Sequence, residues 1–390
     1  FVFSTEPVAS VRISARPTDF PPIHVLEPRP LPQVAAADTT PSIPDSLPVV
    51  QVHVAVAQPD VTLPDADELR SLAPITVASD APMRFTVPLH TDLVAGVAPT
   101  VDAEAVKYLM VEMVEEAGIK VLLHCWGVDS IMNGNTVAGA VFESKSGRQA
   151  ILAKQVVDAT GDGDLFAAAG AQFQLRSHNV GLVTRIGNLD QVDQRKAGTA
   201  KKPRHLGRHT PVPGVHWVNM HGPEVDGLDV EVLTRMEMNH RKFIWRNMQK
   251  TRSTPGYDKV YLMETAPQLG VRITRVLKGI NTVTLSDLRA KTEFPDSIGV
   301  GGASAGEHQG WQIPYGSLVP ESVDNLLAAG RCISAEMSMA DLVRLIPNCF
   351  VTGHAAGVAA AVAVEDGQRP RDVDVAKVRG ILKQQRAYLG

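Results

Sequence analysis

Val156-Val-Asp158-Ala-Thr160-Gly161-Asp162-Gly163-Asp164-Leu-Phe-Ala-Ala-Ala-Gly170 decides how the chain folds. A β-branched run ends in an acidic residue, a turn with two glycines follows, and alanine-rich, helix-forming sequence comes next. Glycines at such a point let the backbone approach a ligand with no Cβ in the way. The start of the following helix offers free N–H groups and the positive end of a dipole. From the residues alone three readings stand: a βα turn that cradles a ligand, a tight turn with none, and a calcium loop on Asp162 and Asp164. The calcium reading lacks the further ligands and closing Glu of an EF-hand.

Upstream, a strand over Gln149–Asp158 leads into this turn. Before it, the runs Lys120–His124, Gly127–Met132 and Thr136–Glu143 read as strands, the last two joined by a hairpin at Asn133-Gly134-Asn135. A helix is predicted from about Ala103 to Ala117, with Val106, Leu109, Met110, Met113 and Val114 on one face. Thr100 and the acidic Asp102-Ala-Glu104 mark its start, and Gly118 its stop. Residues 1 to about 100 hold sixteen of the 27 prolines, so this region reads as short strands, extended chain and turns. Leu31–Pro48, poor in bulky residues, reads as a linker or mobile loop.

Downstream, residues 175 to 310 are mixed, with a helix expected over Val230–Met248. The last 80 residues regain an α/β rhythm. Asn325-Leu-Leu-Ala-Ala-Gly330-Arg331-Cys-Ile-Ser334 is a buried strand ending in glycine, the kind of strand end where α/β sheets collect ligands. Arg331 suits a pyrophosphate by its planar fork, or an ordinary surface ion pair. Pro347 then opens a helix over Cys349–Glu365, and a final helix spans Val375–Tyr388. The stripe Gly353, Ala356, Gly357, Ala360 gives that first helix a face for close packing. Its dipole can also serve a group that gains negative charge.

Together these segments resemble the FAD-dependent oxidoreductases with a two-dinucleotide-type Rossmann fold. The resemblance rests on "VVDATGDGDLFAAAGAQF", "FPDSIGVGG", "IPYGSLVPESVDNLLAAGRCISAE" and "VRLIPNCFVTGHAAGVAAAVAVEDG", in order, with "DAEAVKYLMVEMVEEAGIKVLLH" before them. It covers residues 100 to 390. It implies an α/β fold: a Rossmann-like FAD-binding domain (100–175 and 311–390), an inserted mixed α+β substrate domain (176–310), and a Pro-rich β/irregular N-terminal region (1–99). The cofactor implied is FAD. Thr160 and Gly161 would approach its adenine half, with Asp162, Gly163 and Asp164 completing that turn. Gly330 and Arg331 would line the ribityl–pyrophosphate path, and Pro347 and Asn348 would meet the flavin ring.

In one respect the chain departs from the family. The expected strand, GxGxxG loop and helix do not occur before residue 100. Pro48–Ala57 has the character of the first strand, but Gln58-Pro59-Asp-Val-Thr-Leu-Pro64 follows, with no glycine. Three explanations fit: a nucleotide loop on a companion polypeptide, a segment absent between Ala57 and Gln58, or loss of flavin binding from a retained scaffold. The intact later motifs favour the companion chain or absent segment. Phe1 in place of Met is read as a cleaved N-terminus or a start within a longer chain.

The remaining features narrow the chemistry. A formal charge of −4 over 390 residues gives no electrostatic case for nucleic acid, and the basic residues from Arg195 to Arg208 read as a solvated loop. Cys125, Cys332 and Cys349 are too scattered for a disulfide framework or zinc knuckle. No run reads as a membrane span, and a cytoplasmic location is expected. The absence of CxxC argues against a disulfide-reductase mechanism.

A flavin oxidoreductase needs a group that takes a proton as hydride leaves. His308 ranks first for this, ahead of His216, His221 and His354, while Arg344 could face flavin or substrate. Arg272 and Arg275 could hold an acidic or polyol substrate, or pair within the fold. His205, His209, His216 and His221 are spaced too irregularly for a metal, and none is expected. The sequence therefore predicts oxidation of a small polar organic molecule by hydride transfer to flavin. The alternative is a non-catalytic assembly subunit that has lost the flavin.

Overall fold

The computed structural model describes residues 89–90, 100–302 and 310–390. The strand expected at Pro48–Ala57, most of the proline-rich region and His308 lie outside the described residues.

Leu89–His90 (β1) pairs antiparallel with Thr100–Val101 (β2). Helix α1 (Ala103–Glu116) is capped by Asp102, whose carboxylate accepts the N–H groups of Glu104 and Ala105 at 2.9 and 3.4 Å. None of its residues is buried, and Tyr108, Met110, Val111 and Met113 stand exposed. A helix of this length draws its stability mainly from burying an apolar face, and here Val106, Leu109 and Val114 are only half-buried.

The strand expected at Lys120–His124 does not form. His124 takes a left-handed φ of 59°, which turns the chain just before β3 (Cys125–Asn133). β3, β4 (Thr136–Ser144) and β5 (Gly147–Leu152) make an antiparallel meander around the predicted Asn133–Asn135 hairpin. The single strand expected over Gln149–Asp158 is in fact two. β5 ends at Leu152, and the Ala153 N–H donates to Ala138 O at 2.9 Å to close the meander. β6 (Val156–Asp158) then enters a different, parallel sheet with residues 326–328. A hydrophobic run that changes partners midway carries no sequence mark of the change.

After α2 (Asp164–Ala168) come β7 (Phe173–Leu175), β8 (Ser177–Asn179), β9 (Thr184–Gly187), α3 (Gln194–Ala197), β10 (Arg208–His209), β11 (His216–Val218) and β12 (Glu224–Asp226). Helix α4 (Val230–Arg252), capped by Asp229, packs on β13 (Tyr261–Thr265). The sheet β10-β11-β9-β13 covers a small core of Ile186, Met248, Tyr257 and Val260.

β14 (Arg275–Leu277) pairs back onto β7, and α5 (Leu285–Ala290) precedes the antiparallel pair β15 (Ser297–Gly301) and β16 (Trp311–Pro314). β17 (Leu326–Ala328), α6 (Ala340–Val343), α7 (Ile346–Glu365) and α8 (Val375–Gln384) complete the chain. α8 stops four residues short of Tyr388, where Arg386 adopts a φ of 65°.

The largest core lies between α7, α8 and the β15–β16 pair. Ala355, Ala356, Ala359 and Ala360 of α7 are fully buried, which lets backbones approach closely. Gly353 is not part of that face, since a Cβ there would meet nothing within 4 Å. By length and composition alone α7 could cross a membrane, which the sequence reading passed over, but half of that stretch is buried in the core.

The parallel register Leu326↔Val156, Leu327↔Val157, Ala328↔Asp158 sets the middle of the molecule. The Val156 N–H donates to Asn325 O at 3.0 Å and the Ala329 N–H to Asp158 O at 2.9 Å. In such a ladder alternate residues point to opposite edges, so the peptide groups of Val157 face away from β17. No described strand pairs with that edge.

One pH effect follows from the β10–β11 pair. His216 is half-buried, its Nδ1 3.0 Å from Leu206 O and its ring 4.1 Å from that of His209. Burial lowers its pKa from the ordinary 6.5, and the nearby His209 and Lys202 act the same way. The folded state therefore holds the ring neutral, a contribution present above about pH 6.5 and lost as the pH falls. Thermal unfolding followed from about pH 7 to about pH 5 should show a falling midpoint, with a flatter slope in His216→Gln.

Candidate functional site

Asp158 builds the turn that follows β6. Its side chain is fully buried, and both oxygens point forward under the turn. Oδ1 accepts the Thr160 N–H at 3.0 Å and the Thr160 hydroxyl at 2.7 Å. Oδ2 accepts the N–H groups of Leu165 and Phe166 at 3.0 and 2.9 Å. The carboxylate thus serves the first turn of α2 from six residues before its start, where Gly163 in the cap position offers no side chain. Burial pushes the Asp158 carboxyl up from its ordinary range, and the donors from Thr160 and Phe166 pull against it. Thr160 adds a second tie, accepting the Asp164 N–H at 3.0 Å.

The glycines are required by geometry. Gly161 has a φ of 82°, and a Cβ there would lie 2.2 Å from Arg331 Nη1. Gly163 has a φ of 66°, and a Cβ would meet the Phe166 ring at 2.0 Å. Gly330 also takes a left-handed φ, 83°, but the space at its missing Cβ is open, with only Cys349 Sγ at 3.9 Å.

The acidic side chains of the turn all have partners. Asp162 accepts the Thr274 hydroxyl at 2.8 Å and pairs with Arg331 Nη2 at 2.9 Å. Asp164 pairs with Arg275 Nη1 at 2.8 Å, and the same nitrogen donates to Asp162 O at 3.0 Å. These bonds leave the two carboxylates committed to cations. No group of three or more His, Cys, Asp or Glu residues suited to a metal occurs among the described residues. Arg331 Nε, by contrast, is buried with no partner.

The C-terminal end of β17 and the start of α7 meet this turn. The Gly330 N–H donates to Thr352 Oγ1 at 3.0 Å. Asn348 is buried and clamps Gly302 from both sides, its Oδ1 accepting the Gly302 N–H at 3.0 Å and its Nδ2 donating to Gly302 O at 2.9 Å. It also donates to Leu342 O at 2.8 Å. Pro347 lies exposed in the first turn of α7. Arg344 pairs with Asp341 three residues earlier, Nε to Oδ1 at 3.0 Å.

A family model described as FAD dependent oxidoreductase matches residues 76–212 and 184–382. The chain belongs to the FAD-dependent oxidoreductase family.

The family's cofactor is FAD, and the residues present fit a dinucleotide: a left-handed Gly330 with open space beside it, and a buried guanidinium nitrogen without an acceptor. No curated protein matches the chain. Similar solved structures include a geranylgeranyl bacteriochlorophyll reductase-like protein from Thermoplasma acidophilum, with 15% identity and a TM-score of 0.39, covering 74% of this chain and 60% of that one. The p-nitrophenol 4-monooxygenase PnpA of Pseudomonas putida DLL-E4 has 12% identity and a TM-score of 0.38, covering 73% and 60%. Glycine oxidase from Bacillus cereus ATCC 14579 has 12% identity and a TM-score of 0.32, covering 69% and 57%. At these scores the likenesses carry no weight on substrate or mechanism. The chain spans 57–60% of the length of these structures.

The structure brings Thr160 to Asp164, Gly330 and Arg331 together, with Thr352 of α7 bonded to the Gly330 turn. Sequence reasoning missed the role of Asp158, although an acid closing a buried strand just before Thr-Gly is a usable signal for a carboxylate that caps the next helix. It also missed Thr274 and treated Arg272 and Arg275 alike. Arg275 belongs to the turn, whereas Arg272 donates to Asn179 O at 2.7 Å, Asn219 Oδ1 at 3.1 Å and Met220 O at 3.2 Å. His354 is exposed on α7 against Gln385, and His221 faces Asn219.

Asp158→Asn presents an amide where N–H groups need an acceptor. It should lower the unfolding free energy by about 3 kcal/mol, read by urea denaturation of the purified protein. Gly161→Ala should cost more than Gly330→Ala in the same measurement. Only the first forces a Cβ against Arg331, while the second incurs only the left-handed penalty of about 1–2 kcal/mol.

Proposed function

We propose that this chain is the larger part of a flavoenzyme that oxidises a small polar organic molecule. The single observation that carries this reading is the meeting of two glycine turns at the C-terminal ends of the parallel strands β6 and β17, with Arg331 Nε buried there and lacking an acceptor. Strand ends of this kind are where open α/β sheets bind dinucleotides. Gly161, Gly330 and Arg331 would hold the dinucleotide, and Pro347 and Asn348 would lie at its flavin end. Bound FAD would supply the acceptor for a hydride and so make the oxidation a two-electron one. A base must take the accompanying proton, and His308 is the residue proposed for it.

The nucleotide loop itself is proposed to come from a further polypeptide segment. Two features support this: the exposed apolar residues Met110, Val111 and Met113 of α1, and the edge of β6 at Val157 with no described partner. A second reading, a scaffold without flavin, is favoured by one fact. Asp162 already neutralises Arg331 across the cradle.

The two readings separate on the purified full protein. The flavoenzyme reading expects a yellow preparation with the visible flavin bands and about one FAD per chain, with the FAD released by denaturation. Intact mass and N-terminal sequencing of every polypeptide should reveal a companion bearing GxGxxG. A colourless preparation containing a single polypeptide would overturn it.

A further inference from the structure

Beyond the glycine turns, a second group of charged residues gathers where β8, the segment before β14 and α6 meet. His178, whose side chain is only 8% exposed, places Nε2 3.5 Å from Asp341 Oδ1. Arg344 directs Nε and Nη2 at the same oxygen. Arg272, 8% exposed, stands within electrostatic reach of both Arg344 and Asp341.

The charges here do not balance. Arg272 spends its terminal nitrogens on two backbone carbonyls and the Asn219 amide and makes no ion pair among the described residues. A buried guanidinium without a carboxylate is costly. Asp341, the one acid of the group, already serves Arg344, and its side chain is 65% exposed at the rim. Two fixed positive charges and one histidine therefore face a single, solvent-screened carboxylate. The group also adjoins the glycine turns. Cys349, in the first turn of α7, links the two: its Sγ lies 3.9 Å from the place a Cβ would take on Gly330, and its thiol donates to Val343 O, next to Arg344, at 3.7 Å.

We propose that Arg344, with the buried charge of Arg272 behind it, receives an anionic group of the substrate, so that the molecule oxidised is a small carboxylate. This rests on the flavoenzyme reading above and names its substrate class. Arg344 Nη1 has no partner among the described residues, and its exposed bond to Asp341 is of the kind that exchanges cheaply for another carboxylate. A carboxylate fits better than a phosphate. Only one guanidinium fork is open, because the terminal donors of Arg272 are spent, and a phosphate dianion asks for more donors than that.

Calorimetric titration of the full protein with acetate, acetamide and inorganic phosphate tests this directly, and perturbation of the flavin bands gives a second reading. Acetate should bind and acetamide should not. Arg344→Gln should weaken acetate binding by about 30-fold or more, with Arg344→Lys in between, as expected for loss of a charge-assisted bidentate contact. Asp341→Asn removes the competing carboxylate and should tighten acetate by about fivefold, a change that a purely structural Arg344–Asp341 pair would not produce.

Equal binding of acetate and acetamide would overturn the proposal, as would phosphate binding more tightly than acetate. Unchanged acetate affinity in folded Arg344→Gln or Arg344→Lys would also overturn it. FAD content, assayed on the same samples, reports separately on the flavoenzyme reading, because the calorimetry detects the anion with or without flavin.

Discussion

The carboxylate of Asp158 is the constraint on which the rest depends. It is buried at the end of β6 and accepts four donors from residues 160, 165 and 166. Those bonds fix the turn that brings Gly161 beneath Arg331, and α2 starts where the carboxylate can reach its free N–H groups. Without that acceptor three backbone donors would be buried unsatisfied, each at a cost comparable to a lost hydrogen bond. Asp162 and Asp164 build outward from the same turn, tying it to Thr274, Arg275 and Arg331. A short loop in this way holds β6, β14 and β17 in one arrangement.

Much of this was legible in the sequence, and the reasons differ by element. α1, the meander hairpin, β17 and α7 carry strong local signals: an acidic cap, Asn-Gly-Asn, a buried run ended by glycine, and proline at a helix start. The break between β5 and β6 was not legible, because both halves are apolar and only the partner strand changes. The lost strand at Lys120–His124 depends on one left-handed histidine, a residue type that gives little warning. The ends of α4 and α8 moved by four residues each, since helix termini depend on tertiary context.

The site divides similarly. Glycines forced into left-handed backbone announce themselves by type, and Gly161, Gly163 and Gly330 were all singled out. Pairings across the fold do not: which of Arg272 and Arg275 meets an acid is decided by the pairing of β14 with β7, about a hundred residues apart in the chain. Arg275 is thereby brought to Asp164, while Arg272, three residues earlier, is left among backbone carbonyls. The uneven charge at the junction with α6 is therefore a product of topology rather than of any motif.

The parallel pairing of β6 with β17 has a consequence for how the molecule comes to its final state. The two strands are about 170 residues apart along the chain, and a contact of such span forms only after the intervening segment has been gathered in. During synthesis, β6 and the Asp158 turn must wait, without this partner strand, until residues 326–328 have emerged. The intervening sheet of β9, β10, β11 and β13 has its own small core with α4 and can form first. Folding is thus expected to run from that sheet inward, with the glycine turns among the last elements to close. A chain cut short before Leu326 would keep that sheet and its core and lose the junction of the glycine turns.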